Sequence, residues 1–263
     1  MIIDLHSHIL HGIDDGARDI EMSLEMARMA VDDGTTHIAC TSHITPGIYD
    51  NDAEIIRHKM DELEAALDEA NIPLKLIIGA DVHISPKMIE GLKSGHIPAL
   101  NDTRYFLFEP SHHVLPPKLV EFCKKILDAD YIPVLTHPER LSWIENHYNK
   151  IVEMDELGVP IQITAASITG RFGERAQYWS ERMLDEGRVD IIASDAHNIK
   201  SRPPGLRKAL SIIASRLGKE TAKQIGFHNP KAIFEDKPLA QKTRTVTNES
   251  SKEKSKGIFG WFK

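Results

Sequence analysis

A chain of 263 residues, 41% hydrophobic and 27% charged, has ordinary globular composition and ample length to bury a core. Its net charge of -7 excludes a general nucleic-acid binder, because neutralising a phosphate backbone takes a basic surface. Two cysteines, Cys40 and Cys123, form no disulfide framework; each lies beside an apolar run, as a buried thiol in a reducing compartment would.

The opening, MIIDLHSHIL, carries an acid and two histidines instead of the basic and apolar regions of a secretion signal. No run approaches the roughly 18 apolar residues of a membrane span. The expectation is a cytoplasmic protein without a transmembrane segment. Along the chain, short apolar runs predict strands at 2–6, 36–42, 74–81, 105–109, 131–137, 159–164 and 189–194. Amphipathic stretches predict helices near 19–33, 51–71, 116–129, 144–157, 174–187 and 203–217. In the first, Ile20, Leu24, Ala27 and Val31 recur at helical spacing before Gly34 ends it. This rhythm predicts an α/β fold with a parallel sheet of seven strand–helix units; periodicity does not say whether the sheet closes.

Composition changes near Asp236, so 1–235 is expected to be the folded domain and 236–263 a polar, disordered tail. The tail ends in GIFGWFK. A sticky terminal stub is the simpler reading. The sharper one is weak docking or interfacial anchoring, with Lys252, Lys254, Lys256 and Lys263 beside the aromatics.

The chemistry concentrates at strand ends. Residues two apart in a strand point to one side, so His6 and His8 project together. His43, Asp81, Glu109, His137, Asp195 and His197 follow or close other expected strands. In α/β folds those ends converge on one functional face. Asp14 and Asp15 lie in the first loop, where Gly12 and Gly16 allow a tight turn; Asp15 is expected to cap the following helix. His58, His147 and His228 are expected on the surface. One histidine at a strand end is weak as a signal, but so many donors on one rim would repel or remain unsatisfied without cations. A mixed nitrogen and oxygen set without thiolate suits Mn, Fe or Zn at a reactive site, and so many donors imply two or three divalent ions. Closely spaced ions recur in phosphoester hydrolysis, where they lower the pKa of a bridging water. Arg140 in THPER and Arg202 in SDAHNIKSRPP flank two of these strand ends. A guanidinium fork matches paired phosphate oxygens; the bland alternative is an ion pair of Arg140 with Glu139 or Glu145.

The strings HSHILHGIDDG, TSH, GADVHIS, RYFLFE, THPER and SDAHNIKSRPP resemble the PHP (polymerase and histidinol phosphatase) superfamily. Within it they are similar to the bacterial manganese-dependent tyrosine phosphatases of capsule and exopolysaccharide synthesis. The resemblance runs from residue 1 to about 235 and implies a distorted seven-stranded (β/α) barrel with a three-metal site. It would place His6, His8 and Asp195 on one ion, Glu109 with His137 on a second, and Asp14, His43 and His197 on a third. Asp81 stands where a bridging Glu is usual, one methylene longer. Arg140 and Arg202 match arginines that grip the phosphate. The implied substrate is the phosphorylated, tyrosine-rich tail of a cytosolic autokinase controlling polysaccharide polymerisation and export, with Mn as the expected metal. Alternatives are a PHP-type histidinol-phosphate or other small-molecule phosphatase, and a non-catalytic, metal-bound module that docks the kinase.

Overall fold

A computed structural model describes residues 2–242 and 244. Its strands are β1 (Ile2–Asp4), β2 (Thr35–Cys40), β3 (His43–Ile44), β4 (Lys75–Ile78), β5 (Asp81–His83), β6 (Tyr105–Glu109), β7 (Ile132–Thr136), β8 (Ile161–Thr164) and β9 (Ile191–Ala193). The helices are α1 (Ile20–Asp32), α2 (Ala53–Glu69), α3 (Met88–Ser94), α4 (Leu119–Asp128), α5 (Ile144–Leu157), α6 (Ala165–Ile168), α7 (Gly173–Asp185), α8 (Arg207–Leu217), α9 (Lys219–Lys223) and α10 (Asn229–Phe234). Helix α1 begins where Asp19, not Asp15, accepts a hydrogen bond from Met22 N at 2.9 Å, and it buries Ser23, Met26, Ala27 and Ala30.

All strand pairs are parallel, in two sheets: β1-β2-β4 and β3-β5-β6-β7-β8-β9. Nine strands in two sheets thus replace the seven strands of one barrel. The difference comes from the expected strands 36–42 and 74–81, each of which divides. At the first break, Thr41 N donates to Ser7 O at 2.9 Å and Thr41 Oγ1 accepts from Ser7 N at 2.9 Å. Those bonds continue the β1–β2 register beyond Asp4 and Ile38, and the partner changes at His43, which pairs with Asp81 in the second sheet. At the second break, a Cβ on Gly79 would stand 2.8 Å from Leu100 Cδ2 and 3.2 Å from Thr41 Cγ2, so a larger residue there would have to displace the Leu100 side chain.

The chain beyond β1 also runs beside the chain beyond β9. Asp195 N donates to His6 O at 2.9 Å, His8 N to Ala196 O at 2.8 Å, and Ser7 bridges Ala196. A buried apolar cluster, including Leu5, Ile77, Leu107, Val134 and Ile191, gathers residues from successive strands. Each such side chain contributes about 1.5–3 kcal/mol on burial. In β6, Leu107 and Glu109 share one side of the strand, so the same row passes from apolar floor to polar rim.

Contacts continue past residue 235. Tyr105 Oη donates to Lys237 O at 2.8 Å, and Arg104 N to Asp236 Oδ1 at 3.1 Å. Lys242 Nζ lies 2.5 Å from Asp155 Oδ1 and Arg244 Nε 2.8 Å from Asp155 Oδ2. Lys242 and Arg244, beyond the boundary set by composition, are thus tied to α5 by ion pairs. Residues 245–263, with the terminal GIFGWFK and its expected docking role, lie outside the described residues. Cys40 and Cys123 are both buried, and burial pushes the Cys123 thiol up to about 12. Among the described residues no helix is long and apolar enough to cross a membrane.

Candidate metal centre

The first loop is built around a glycine. A Cβ on Gly16 would fall 2.1 Å from His8 O, so a bare backbone lets the loop fold onto His8. Asp14 then turns inward. Its Oδ2 lies 2.8 Å from His8 Nδ1 and accepts from His43 N at 3.0 Å, while Oδ1 accepts from Gly16 N at 2.9 Å. It fixes the His8 ring from behind and leaves Nε2 facing the centre. The donor set contains the next residue instead: Asp15 Oδ1 lies 3.4 Å from His197 Nε2 and 3.5 Å from His43 Nε2. Asp15 thus faces the histidines, while Asp19 takes the capping role expected of Asp15 and Asp14 supports the His8 ring.

Expected strand 2–6 stops at Asp4, and His6 and His8 follow in an extended stretch held by the Ser7–Ala196 bridge. Their Nε2 atoms are nonetheless 3.2 Å apart. Asp195 Oδ1 lies 3.3 Å from His6 Nε2 and 3.5 Å from His8 Nε2, and Asp81 Oδ2 is 3.5 Å from His6 Nε2. His43 Nδ1 faces Asp81 Oδ2 and Glu109 Oε2, both at 3.6 Å. His137 Nε2 lies 3.5 Å from Glu109 Oε1. A metal–ligand bond of about 2.0–2.2 Å puts neighbouring donors roughly 3.0–3.5 Å apart, so these spacings suit shared cations.

Donor sets that converge within reach of one ion are His8, Asp15, His43 and His197; His6, His8 and Asp81; Glu109, His112 and His137; and His43, Asp81 and Glu109. Among the described residues both Asp81 oxygens, His43 Nδ1 and His197 Nε2 are buried without a hydrogen-bond partner. Each such orphan costs about 1–3 kcal/mol, a cost that a bound cation removes. The residues therefore fit divalent metal ions.

The electrostatics agree. Burial disfavours a charged His8 ring, but Asp14 and Asp195 outweigh it and hold its pKa up at about 10. His197 goes the other way: burial and the charge of His8 lower it to about 4. Burial opposes an ionised Asp195, yet His6, His8, Arg202 and Arg140 keep it well below the usual carboxylate range. His137 and Asp195 both carry positive φ, 32° and 50°. Such left-handed geometry costs of order 1–3 kcal/mol and clusters at functional sites.

Arg140 Nη1 and Arg202 Nη2 both reach Asp195 Oδ2 at 2.5 Å. The alternative pairing of Arg140 is absent from the hydrogen bonds of its candidate partners. Glu139 accepts from Thr164 N and Ser167 Oγ, each at 2.8 Å, and Glu145 pairs with Arg175. Both guanidinium groups lie over the Phe172 ring, at 4.9 and 5.9 Å.

Sequence reasoning missed Gln162, whose Oε1 is 2.8 Å from His6 Nδ1, although a polar residue amid VPIQIT was a signal. It also missed Phe172, His83 and His112. His83 Nδ1 is 3.7 Å and His112 Nε2 3.1 Å from the Glu109 carboxylate. His58 and His228 are exposed and His147 is half-buried; none of these belongs to a donor set among the described residues.

Known proteins share this arrangement of chain. The tyrosine-protein phosphatase YwqE of Bacillus subtilis is 33% identical over 263 residues, 99% of this chain and 100% of that protein. The tyrosine-protein phosphatase CpsB of Streptococcus pneumoniae is 31% identical over 240 residues, 89% of this chain and 99% of its own. A crystal structure from a study of these two, described there as unique metal-dependent tyrosine phosphatases, superposes with TM-score 0.89 at 31% identity. It covers 94% of this chain and 100% of that one. A histidinol phosphate phosphatase of Lactococcus lactis shares only the fold, with TM-score 0.53 and 13% identity over 84% of this chain and 93% of its own. Residues 2–235 match the family model for capsular polysaccharide synthesis proteins of the CpsB/CapC type, and the chain belongs to that family.

Proposed function

We propose that the protein is a metal-dependent protein-tyrosine phosphatase acting on the phosphorylated tyrosine-rich tail of a bacterial autokinase in the cytoplasm, and so regulating capsule or exopolysaccharide synthesis and export. The observation that carries this is the convergence of imidazole and carboxylate donors with Arg140 and Arg202 at Asp195. Two or three ions, Mn first and Fe or Zn compatible, would be held by His6, His8, Asp15, His43, Asp81, Glu109, His137, Asp195 and His197. Such ions supply an activated water and neutralise charge on the phosphoryl oxygens.

The chain's own residues do the rest. Gln162 and Asp14 orient His6 and His8 from behind. Arg140 and Arg202, carried on Phe172, bind the equatorial oxygens, where a planar fork reads two oxygens at once. A phenolate leaving group has a pKa of about 10, below that of an alkyl alcohol, so little proton donation is required. The breaks that divide two strands lie on a path that runs β1, β2/β3, β4/β5, β6 to β9 and back beside the chain after β1; we read it as a distorted seven-unit barrel.

The test is hydrolysis of a phosphotyrosine peptide by chelator-stripped protein with Mn, Zn or Fe restored, beside histidinol phosphate. Metal-dependent turnover that favours the peptide supports the reading. Preference for histidinol phosphate, or turnover undiminished by chelation, refutes it.

A further inference from the structure

We propose that His112, three residues beyond β6, is a direct donor to the ion shared by Glu109 and His137. This deepens the metal reading of the rim and rests on it. The donor set that converges there is Glu109, His112 and His137, without Asp81. His112 Nε2 stands 3.1 Å from Glu109 Oε1, and His137 Nε2 3.5 Å from the same oxygen. Both separations suit adjacent ligands of one cation with bonds of about 2.0–2.2 Å. Asp81 Oδ2 is 4.0 Å from His137 Nε2, while it approaches His6 at 3.5 Å and His43 at 3.6 Å. Asp81 and Glu109 converge instead with His43, so beside His137 the nearer partner of Glu109 is His112, whose side chain is 29% exposed. The His112 and His137 rings are 5.1 Å apart and tilted 41°, so they flank a common point without stacking.

The segment bearing His112 is held by hydrogen bonds of its own backbone. Ser142 N and Ser142 Oγ donate to His112 O at 2.9 and 3.0 Å, and Trp143 Nε1 donates to Ser111 O at 2.9 Å. The backbone is therefore held by groups that a change of the His112 side chain leaves intact. His113, one residue on, is exposed and belongs to no donor set among the described residues, so it serves as the control.

The experiment titrates Mn into chelator-stripped protein by equilibrium dialysis with elemental analysis. It compares wild type with His112→Ala, His112→Gly and His113→Ala, and reads melting temperatures of the metal-free proteins as a check on folding. Loss of an outer partner already weakens metal binding about 10–100-fold, so loss of a direct donor weakens the affected ion by at least tenfold. His113→Ala binds as wild type, and added imidazole restores the ion to His112→Gly. Equal stoichiometry and affinity in His112→Ala overturns the assignment and leaves the metal reading standing. A wild-type chain that retains no ion overturns both.

Discussion

Replacing Asp15 and Asp14 separately by Asn distinguishes a metal donor from the group that orients one. Asp15 is 46% exposed at its side chain and points its Oδ1 between His43 and His197. The metal-free stability of Asp15→Asn should stay within about 0.5 kcal/mol of wild type, as for most surface substitutions. One anionic donor is nevertheless lost, so the protein should bind one ion fewer per chain at micromolar metal. Asp14 accepts from Gly16 N at one oxygen and from His43 N at the other, the one that also meets His8 Nδ1. An Asn amide has one acceptor for these two positions, so one of them faces N–H against N–H. Leaving one such partner unmet costs about 1–3 kcal/mol. Since 1.36 kcal/mol is about a tenfold change, metal affinity in Asp14→Asn should fall roughly 10–100-fold with stoichiometry preserved. Elemental analysis after equilibrium dialysis, together with titration calorimetry, reads both quantities. If Asp14→Asn loses an ion while Asp15→Asn binds as wild type, the assignment of the two aspartates is reversed and the reasoning fails.

Metal binding should also release protons. In the metal-free protein His8 is raised to about 10, so it is protonated at neutral pH and must lose that proton to ligate, whereas His197, lowered to about 4, is already neutral. Apparent affinity should therefore rise about tenfold per pH unit per proton released between pH 6 and 8, checked by calorimetry in buffers of different ionisation enthalpy; a flat profile contradicts the His8 environment. Arg202→Lys keeps the charge but loses the fork, and kcat/KM on a phosphotyrosine peptide should fall on the order of 100-fold with metal content unchanged; full activity would remove Arg202 from phosphate binding. Asp155→Ala leaves Arg188, Lys242 and Arg244 without their shared carboxylate, at about 3–5 kcal/mol for a broken buried pair. At roughly 2–4 °C per kcal/mol the melting temperature should drop by the order of 10 °C, and a fall under about 2 °C would show that the strap contributes little.

Much of this was legible in the chain itself. Side-chain alternation put His6 with His8, and a β-then-α rhythm placed Glu109, His137 and Asp195 at strand ends. Those patterns are local, because a strand's period of two fixes which side a residue faces. The structure decided what has no local period. The loop holding Asp14 and Asp15 is turned by the approach of Gly16 to His8, so only folding shows which acid faces inward. Two strands that hydropathy ran together are divided, between Cys40 and His43 and between Ile78 and Asp81, where His43 and Asp81 pair with each other in the second sheet. His83 and His112 reach Glu109 across chain geometry that their neighbours in sequence do not report. Lys242 and Arg244 lie in a stretch whose composition suggests disorder, yet they pair with Asp155, nearly ninety positions earlier at Arg244. Sequence determines faces and order within each element; distances between elements arise only when the core closes and brings distant charges together.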